Sequence, residues 1–168
     1  AKKLAQLGVE GDTWTRRFED QPAMDVVNDR VRVLRVPCGG HNFLGKEHLV
    51  QHLGEWAEHA LRFIQRHGLK YQFFNSHYWD AGVATQRLAE ALDVPHVHTP
   101  HSLGLWKKQL MERDFPADAA ALERKYNFTQ RINEETLLYR TCDEVIATTP
   151  DQLDMIVKDC GAPAEQRS

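Results

Sequence analysis

The sequence has few cysteines, no long apolar run and no excess of basic residues, and each shortage excludes a class of protein. Its three cysteines lie far apart without a C-x-x-C pair, so we expect free thiols rather than a disulfide framework or a zinc knuckle. No apolar stretch approaches the roughly 20 residues that cross a bilayer, and no signal pattern opens the chain. We therefore expect a cytoplasmic protein without a membrane partner. With 21 basic and 24 acidic residues and no basic helix face, nucleic acid is not an expected partner either.

The length of the chain is that of one domain, but its two ends suggest a piece of a longer protein. The chain has 168 residues, of which 42% are hydrophobic, enough for a substantial core. Its first residues, AKKLAQLG, read as the last two turns of an amphipathic helix that stops at Gly8. Its last residues, PAEQRS, are polar. We expect the parent protein to extend beyond both ends.

Strands and helices alternate along the chain. The apolar pattern predicts strands at residues 9–15, 31–37, 71–76, 94–99 and 144–149. A helix is predicted over 46–67, a second after an Asp80 cap, a third from Leu103 to a break at 114–116, a fourth over 118–139 and a last one starting at Pro150. This alternation favours an α/β fold in which a Rossmann-like, doubly wound parallel sheet carries helices on both faces.

Polar residues follow the predicted strands, at the sheet edge where ligands bind in folds of this kind. They are Arg16-Arg17, Gly39 to Asn42, His77 to Asp80, Pro100 to Ser102, and Thr148-Thr149. The opposite ends of the strands are short and plain. The asymmetry predicts one site at one edge.

Histidines in the segment HVHTPHSLGLWKK allow two interpretations. His96 and His98 would share a strand face, a spacing that zinc could use, with His101 following after the turn. No carboxylate ligand accompanies them, and a strand buried on both sides more often hides hydrogen-bonded structural imidazoles. His48 and His52 lie one turn apart on a predicted helix, but their order does not match H-E-x-x-H, and we expect them on a solvated flank of that helix. We therefore predict no metal.

Phosphate binding fits the second half of that segment better. Ser102 is predicted at a helix N-cap, where backbone N–H groups and the helix dipole attract an anion, and Lys107 would add a full charge. The alternative is that Ser102 only caps its own helix and the lysines are solvated. Lys46 and the Tyr78 hydroxyl, predicted at the same edge, favour the anion site. No G-x-G-x-x-G, Walker A or G-x-S-x-G motif is present, so neither a complete nucleotide fingerprint nor a hydrolase triad is indicated.

Five motifs together resemble the sucrose-phosphate synthase group of family-4 retaining glycosyltransferases. They are TRRFEDQP, VPCGG followed by GKE, NSHYWDAG, HTPHSLG with WKK, and CDEVIATTP. The resemblance implies the GT-B architecture, in which two Rossmann-like domains face each other. Residues 1–168 would be part of the N-terminal, acceptor-binding domain, with its first strand and Gly-rich loop before Ala1 and the nucleotide-sugar domain after Ser168.

The same resemblance implies a reaction and a set of site residues. A hexose from a nucleotide sugar, UDP-glucose or GDP-mannose, would pass with retention to fructose 6-phosphate or a similar phosphosugar, without a cofactor. Lys46, Tyr78, Ser102 and Lys107 would hold the phosphosugar, and Arg131 matches an arginine-bearing segment of the family. His101 matches the active-site histidine that contacts the transferred sugar. The nucleotide sugar would be bound by the missing C-terminal domain, so we expect this chain alone to be inactive.

Two other functions remain open from the sequence. A phosphosugar isomerase or phosphatase could use a similar sheet, with Asp80 as the nearest candidate nucleophile. Alternatively, the chain could serve only as a non-catalytic binding or assembly module. A sheet that lacks its first strand would expose an edge, through which self-association is possible.

Overall fold

A computed structural model of the chain describes residues 2–158 and 160–161. Its internal contacts divide the chain into two compact units, Ala1–His67 and Gly68–Ser168. Among the described residues, no helix combines the length and the apolar character needed to cross a membrane.

The first unit is built around a mixed three-stranded sheet. Helix α1 (Lys2–Gln6) is followed by Gly8, whose φ of 87° is the left-handed conformation that ends helices, as the sequence predicted. Strands β1 (Gly11–Arg17) and β3 (Val31–Pro37) pair in parallel, with Gly11 opposite Val31. Strand β2 (Met24–Asn28) pairs antiparallel with β3 and gives the order β1-β3-β2.

Strand β2 is absent from the predicted elements because its residues are exposed. All five of its residues are exposed, so its sequence MDVVN carries no alternation of buried and exposed positions. It forms because its backbone completes the ladder of β3, and the Arg35 to Asp25 ion pair at 2.6 Å joins the two strands. The first predicted strand is also shifted by two residues, from 9–15 to 11–17.

Helix α3 (Leu53–His67) supplies the other half of this core. Its buried residues recur at helical spacing, as predicted, and are Leu53, Trp56, Ala57, Ala60 and Ile64. The prediction of one continuous helix over 46–67 is wrong. A short helix α2 (Lys46–Leu49) and a 3₁₀ turn (Val50–His52) precede α3. The preceding loop packs closely against this turn, because a Cβ at Gly39 would lie 2.6 Å from the His52 ring.

The second unit contains a parallel three-stranded sheet in the order β4-β5-β6, which confirms parallel pairing. Its strands are β4 (Phe74–His77), β5 (His96–Thr99) and β6 (Glu144–Val145). Its helices are α4 (Trp79–Leu92), α5 (Gly104–Asp114), α6 (Ala119–Tyr126), α7 (Phe128–Thr141) and α8 (Pro150–Lys158), with a 3₁₀ turn at Pro116–Asp118. The predicted break at 114–116 and the first helical position of Pro150 are confirmed.

A cluster of buried side chains joins the helices and strands of this unit. It consists of Leu103, Leu138, Tyr139, Cys142, Val145, Ile156 and Cys160. The thiols of Cys38, Cys142 and Cys160 are all buried, and no disulfide joins them in the described parts of the chain, in keeping with the predicted reduced thiols. Burial raises the pKa of Cys142 to about 12, so this thiol acts as a small apolar group.

Three details of the second unit correct the predictions. Helix α4 begins at Trp79 with Tyr78 as its N-cap, so Asp80 lies in the first turn and does not cap the helix. The helix predicted over 118–139 is two helices, because Asn127 adopts the left-handed conformation at φ 46° and ends α6. The last strand spans only two residues, since Thr148 instead binds Gln152 of α8 through its N–H and hydroxyl.

Candidate functional site

Strands β4 and β5 place four histidines and a serine at neighbouring positions. Their parallel register sets Ser76 opposite His98 and His77 opposite Thr99. His96 and His98 lie within the strand and are fully buried, whereas His77 and His101 come at and after the strand ends and are exposed. The buried and the exposed imidazoles therefore form two separate groups with different surroundings.

The buried group is a hydrogen-bonded chain with Ser76 at its centre. The Ser76 Oγ lies 2.7 Å from His96 Nε2 and 2.8 Å from His98 Nδ1. Gln86 accepts from His96 Nδ1 at 2.7 Å through Oε1, and its amide nitrogen donates to Glu90. Since His96 Nδ1 carries a hydrogen, Ser76 must donate to His96 Nε2 and accept from His98 Nδ1.

Burial keeps both of these imidazoles neutral. It lowers the pKa of His96 to about 4 and that of His98 to about 3, the latter further lowered by His96 and by the exposed pair His77 and His101. The geometry is that of structural histidines, one of the two alternatives left open by the sequence. Gly82 permits it, because a Cβ there would lie 2.7 Å from His98 Cε1.

A second network lies at the N-terminus of α5 and contains two of the predicted site residues. Arg131 of α7 donates from Nη2 to Ser102 Oγ and to the Ser102 carbonyl, both at 3.1 Å. Its Nε donates to Glu135 Oε1 at 2.7 Å. The other Glu135 oxygen accepts the backbone N–H of Gly104 at 2.7 Å. The Glu135 carboxylate thus links the N-terminus of α5 to Arg131, and through Arg131 to Ser102.

This network corrects the predicted role of Ser102. The N-cap of α5 is Leu103, and Ser102 precedes it. The side chain that caps α5 is Glu135, from a helix 31 residues further along the chain. Because its Oγ accepts from Arg131, the Ser102 hydroxyl keeps its own hydrogen for another acceptor.

The electrostatic balance of the network depends on Glu135, which is 1% exposed. Burial raises the pKa of its carboxyl, and the Arg131 guanidinium and the Gly104 N–H act against that rise. Arg131 also lies over the Trp79 ring, with 5.9 Å from Cζ to the centroid. Its guanidinium is therefore fixed in position by a carboxylate, a serine and an aromatic ring.

The remaining predicted residues of the second unit lie on the same elements. Lys107 is in the first turn of α5, where its N–H binds the Leu103 carbonyl at 3.0 Å, and its ammonium lies 4.5 Å from the Tyr126 ring centroid. Tyr78 follows β4 with an exposed ring 4.9 Å from that of His101. The structure thus brings Ser102 to Arg131 and Tyr78 to His101.

Lys46 belongs to the first unit, where it opens α2 and is exposed. The loop before it is held by Arg16, which donates from Nε to the Cys38 carbonyl at 2.9 Å and from Nη2 to the Gly40 and Asn42 carbonyls at 3.2 and 2.7 Å. The N–H of Gly39, at φ 61°, donates to Glu55 at 2.9 Å. Arg16 and Glu55 therefore fix the conformation of the loop that leads to Lys46.

Sequence reasoning missed Glu135 and the contact between His77 and His101. A signal for Glu135 was available, because Arg131 and Glu135 stand at i and i+4 on a predicted helix and form an ion pair at that spacing. Nothing local links Glu135 to Gly104. Their contact follows from the packing of α7 on α5, which is so close that a Cβ at Gly104 would lie 3.0 Å from Glu135 Oε2.

Comparison with known proteins assigns the family. The chain is 60% identical over 161 residues to mannosylfructose-phosphate synthase of Agrobacterium fabrum, covering 96% of this chain and 36% of that protein. It is 29% identical to a probable sucrose-phosphate synthase of Thermosipho melanesiensis, covering 90% of this chain and 36% of that protein. The chain thus spans about a third of the length of these relatives.

A solved structure confirms the α/β fold. Sucrose-phosphate synthase from Thermosynechococcus elongatus superimposes with a TM-score of 0.80 at 23% identity, over 98% of this chain and 38% of that one. The family model described as a glycosyl transferase 4-like domain matches residues 1–167. This chain therefore belongs to the glycosyl transferase 4-like domain family.

Proposed function

We propose that this chain is the acceptor-binding part of a cytoplasmic, retaining hexosyltransferase that moves a hexose from a nucleotide sugar to fructose 6-phosphate. In this proposal it forms part of the N-terminal domain of a GT-B enzyme, and a second domain binds the nucleotide sugar. Family membership and the names of the two curated relatives, both synthases of sugar phosphates, support the proposal.

The observation that carries the proposal is the fixed Arg131 beside Ser102 at the start of α5. A guanidinium held in this way has lost its freedom before the ligand arrives, so less entropy opposes binding. The Ser102 hydroxyl hydrogen and the positive end of the α5 dipole favour an anion at the same place. A phosphate monoester offers the matching acceptor oxygens.

The other residues complete the acceptor site. Lys107 would supply an ammonium from the first turn of α5. Tyr78, exposed at the N-cap of α4, would donate its hydroxyl hydrogen to the phosphate or to the sugar. The Glu135 carboxylate offsets the charge of Arg131, so Lys107 would neutralise much of the phosphate charge.

Phosphate binding would then serve the transfer reaction at a distance. Energy gained at the remote phosphate orients the attacking hydroxyl of the acceptor toward the anomeric carbon of the donor. Retention requires no nucleophile from this chain if the hydroxyl attacks on the face from which the nucleoside diphosphate leaves and the diphosphate takes its proton. His101 would contact the transferred hexose and stabilise the oxocarbenium-like transition state by position and electrostatics.

The experiment is a transfer assay on the full-length parent with GDP-mannose or UDP-glucose as donor. We expect a disaccharide phosphate with fructose 6-phosphate, far less product with fructose, and none from this chain alone. Ser102→Ala should raise the KM for fructose 6-phosphate while leaving the KM for the donor unchanged. Equal turnover of fructose and fructose 6-phosphate, or activity of the isolated chain, would overturn the proposal.

A further inference from the structure

The exposed imidazoles of His77 and His101 form a direct pair at the edge of the second sheet. His77 Nδ1 lies 2.8 Å from His101 Nε2, and the two ring planes are inclined by 25° with centroids 5.0 Å apart. The pair joins the end of β4 to the turn after β5. His77 belongs neither to the buried chain around Ser76 nor to the network of Arg131.

The backbone of His101 indicates that this arrangement is maintained against strain. His101 is the centre of a three-residue turn closed by the Ser102 N–H and the Pro100 carbonyl at 2.7 Å, and its φ is 59°. A residue with a Cβ adopts this conformation only where its surroundings impose it, and such residues concentrate at functional sites. The rings of His77 and Tyr78, at 5.0 and 4.9 Å, are those surroundings.

The hydrogen bond couples the tautomers of the two imidazoles. Only one hydrogen lies between His77 Nδ1 and His101 Nε2, so one nitrogen donates and the other accepts. The tautomer of His101 is therefore set by that of His77. Desolvation and the neighbouring His101 lower the pKa of His77, which favours the neutral pair over one in which two N–H groups face each other.

We propose that His77 is a positioning residue for His101, which holds the His101 ring in place, fixes its tautomer and leaves Nδ1 as the nitrogen that meets the transferred hexose. The assignment of the hexose rests on the proposed function, whereas the pairing of the two histidines does not. His77 acts through His101 and touches neither substrate.

The first test is ¹⁵N NMR of the histidine rings in this chain at pH 8. We expect one His101 tautomer in the wild type and a changed tautomer population in His77→Phe, which keeps an aromatic ring but removes the hydrogen bond. His48→Asn, which removes an exposed histidine on α2, should leave the His101 signals unchanged. Unchanged His101 ring nitrogens in His77→Phe would overturn the proposal, whatever the activity of the parent.

The second test is kinetic and uses the full-length parent. Loss of one aligned hydrogen bond should lower kcat of His77→Phe about tenfold, with the KM for fructose 6-phosphate changed less than about twofold. His77→Asn, whose amide can still bond to His101, should recover part of kcat. A rise in KM with unchanged kcat would contradict a positioning role. If the wild-type parent transfers no hexose to fructose 6-phosphate, the proposed function fails, and the NMR result alone decides on the pair.

Discussion

Acidification should destabilise this protein through two buried histidines. In the unfolded chain His96 and His98 titrate at their ordinary pKa of about 6.5, whereas in the folded chain their pKa values are about 4 and about 3. Between pH 6.5 and these folded pKa values, the two histidines bind protons in the unfolded chain but not in the folded chain. Stability is therefore complete above pH 6.5 and falls as the pH drops toward the folded values.

The expected loss of stability is large compared with the total free energy of unfolding of a domain. From pH 8 to pH 5 each histidine costs about 2 kcal/mol of unfolding free energy, or about 4 kcal/mol together, against the roughly 5–15 kcal/mol of a typical domain. The lowered pKa of His77 acts in the same direction. Most carboxylates titrate below this window, so they contribute little to the change.

Urea unfolding at pH 8, 7, 6 and 5, followed by circular dichroism, measures this loss. His96→Asn should reduce the pH dependence by about half, because one buried titrating group is removed. His48→Asn, a change at an exposed position, should leave it intact. The same unfolding free energy at pH 8 and pH 5 would disprove the explanation by buried histidines, as would a pH dependence in His96→Asn as large as that of the wild type.

Three further predictions concern packing and backbone conformation. Gly82→Ala should destabilise the protein by about 1–3 kcal/mol, because the new Cβ would collide with the Leu138 side chain. In Gly11→Ala the new Cβ would meet no atom within 4 Å, so this change should stabilise the protein by about 0.5–1 kcal/mol. Urea unfolding of both variants measures the two effects. Asn127→Gly should be neutral or stabilising and Asn127→Ala destabilising by about 1 kcal/mol, since φ is 46° there; the difference between their melting temperatures tests this. Glu135→Gln should destabilise by about 3 kcal/mol in thermal unfolding, since it removes the charge that pairs with Arg131 and leaves one acceptor oxygen for two donors, Arg131 Nε and the Gly104 N–H.

Local patterns revealed the elements that bury one face. The apolar stripe of α3, the stop at Gly8 and the break before Pro116 all follow from side-chain spacing and backbone preference, which are properties of neighbouring residues. Strand β2 could not be predicted from the sequence, because its backbone hydrogen bonds to β3 stabilise it and not the burial of its side chains. The division at Asn127 was missed because asparagine tolerates both helical and left-handed conformations.

The placement of the candidate residues on the fold was easier to predict than the contacts between them. Placing polar residues after parallel strands brought His101, Ser102 and Tyr78 to one edge, and the resemblance added Arg131. The capping of α5 was assigned to Ser102 instead of Glu135, since a cap from another helix leaves no local trace. Likewise, the His77 to His101 pair depends on the β4 to β5 register, which the sequence alone did not set.

Binding of fructose 6-phosphate, compared between two neighbouring lysine variants, tests the central claim most directly. Lys107 lies over Tyr126, whereas Lys108 faces Glu112 at 3.9 Å, and either change to Met removes one positive charge from α5. Tryptophan fluorescence of the full-length parent and of this chain, with fructose and inorganic phosphate as controls, follows binding. Lys107→Met should weaken binding of the phosphosugar by about tenfold or more, whereas Lys108→Met should hardly change it. Equal affinities of the parent for fructose and fructose 6-phosphate, or equal effects of the two substitutions, would rule out a phosphate site at Lys107.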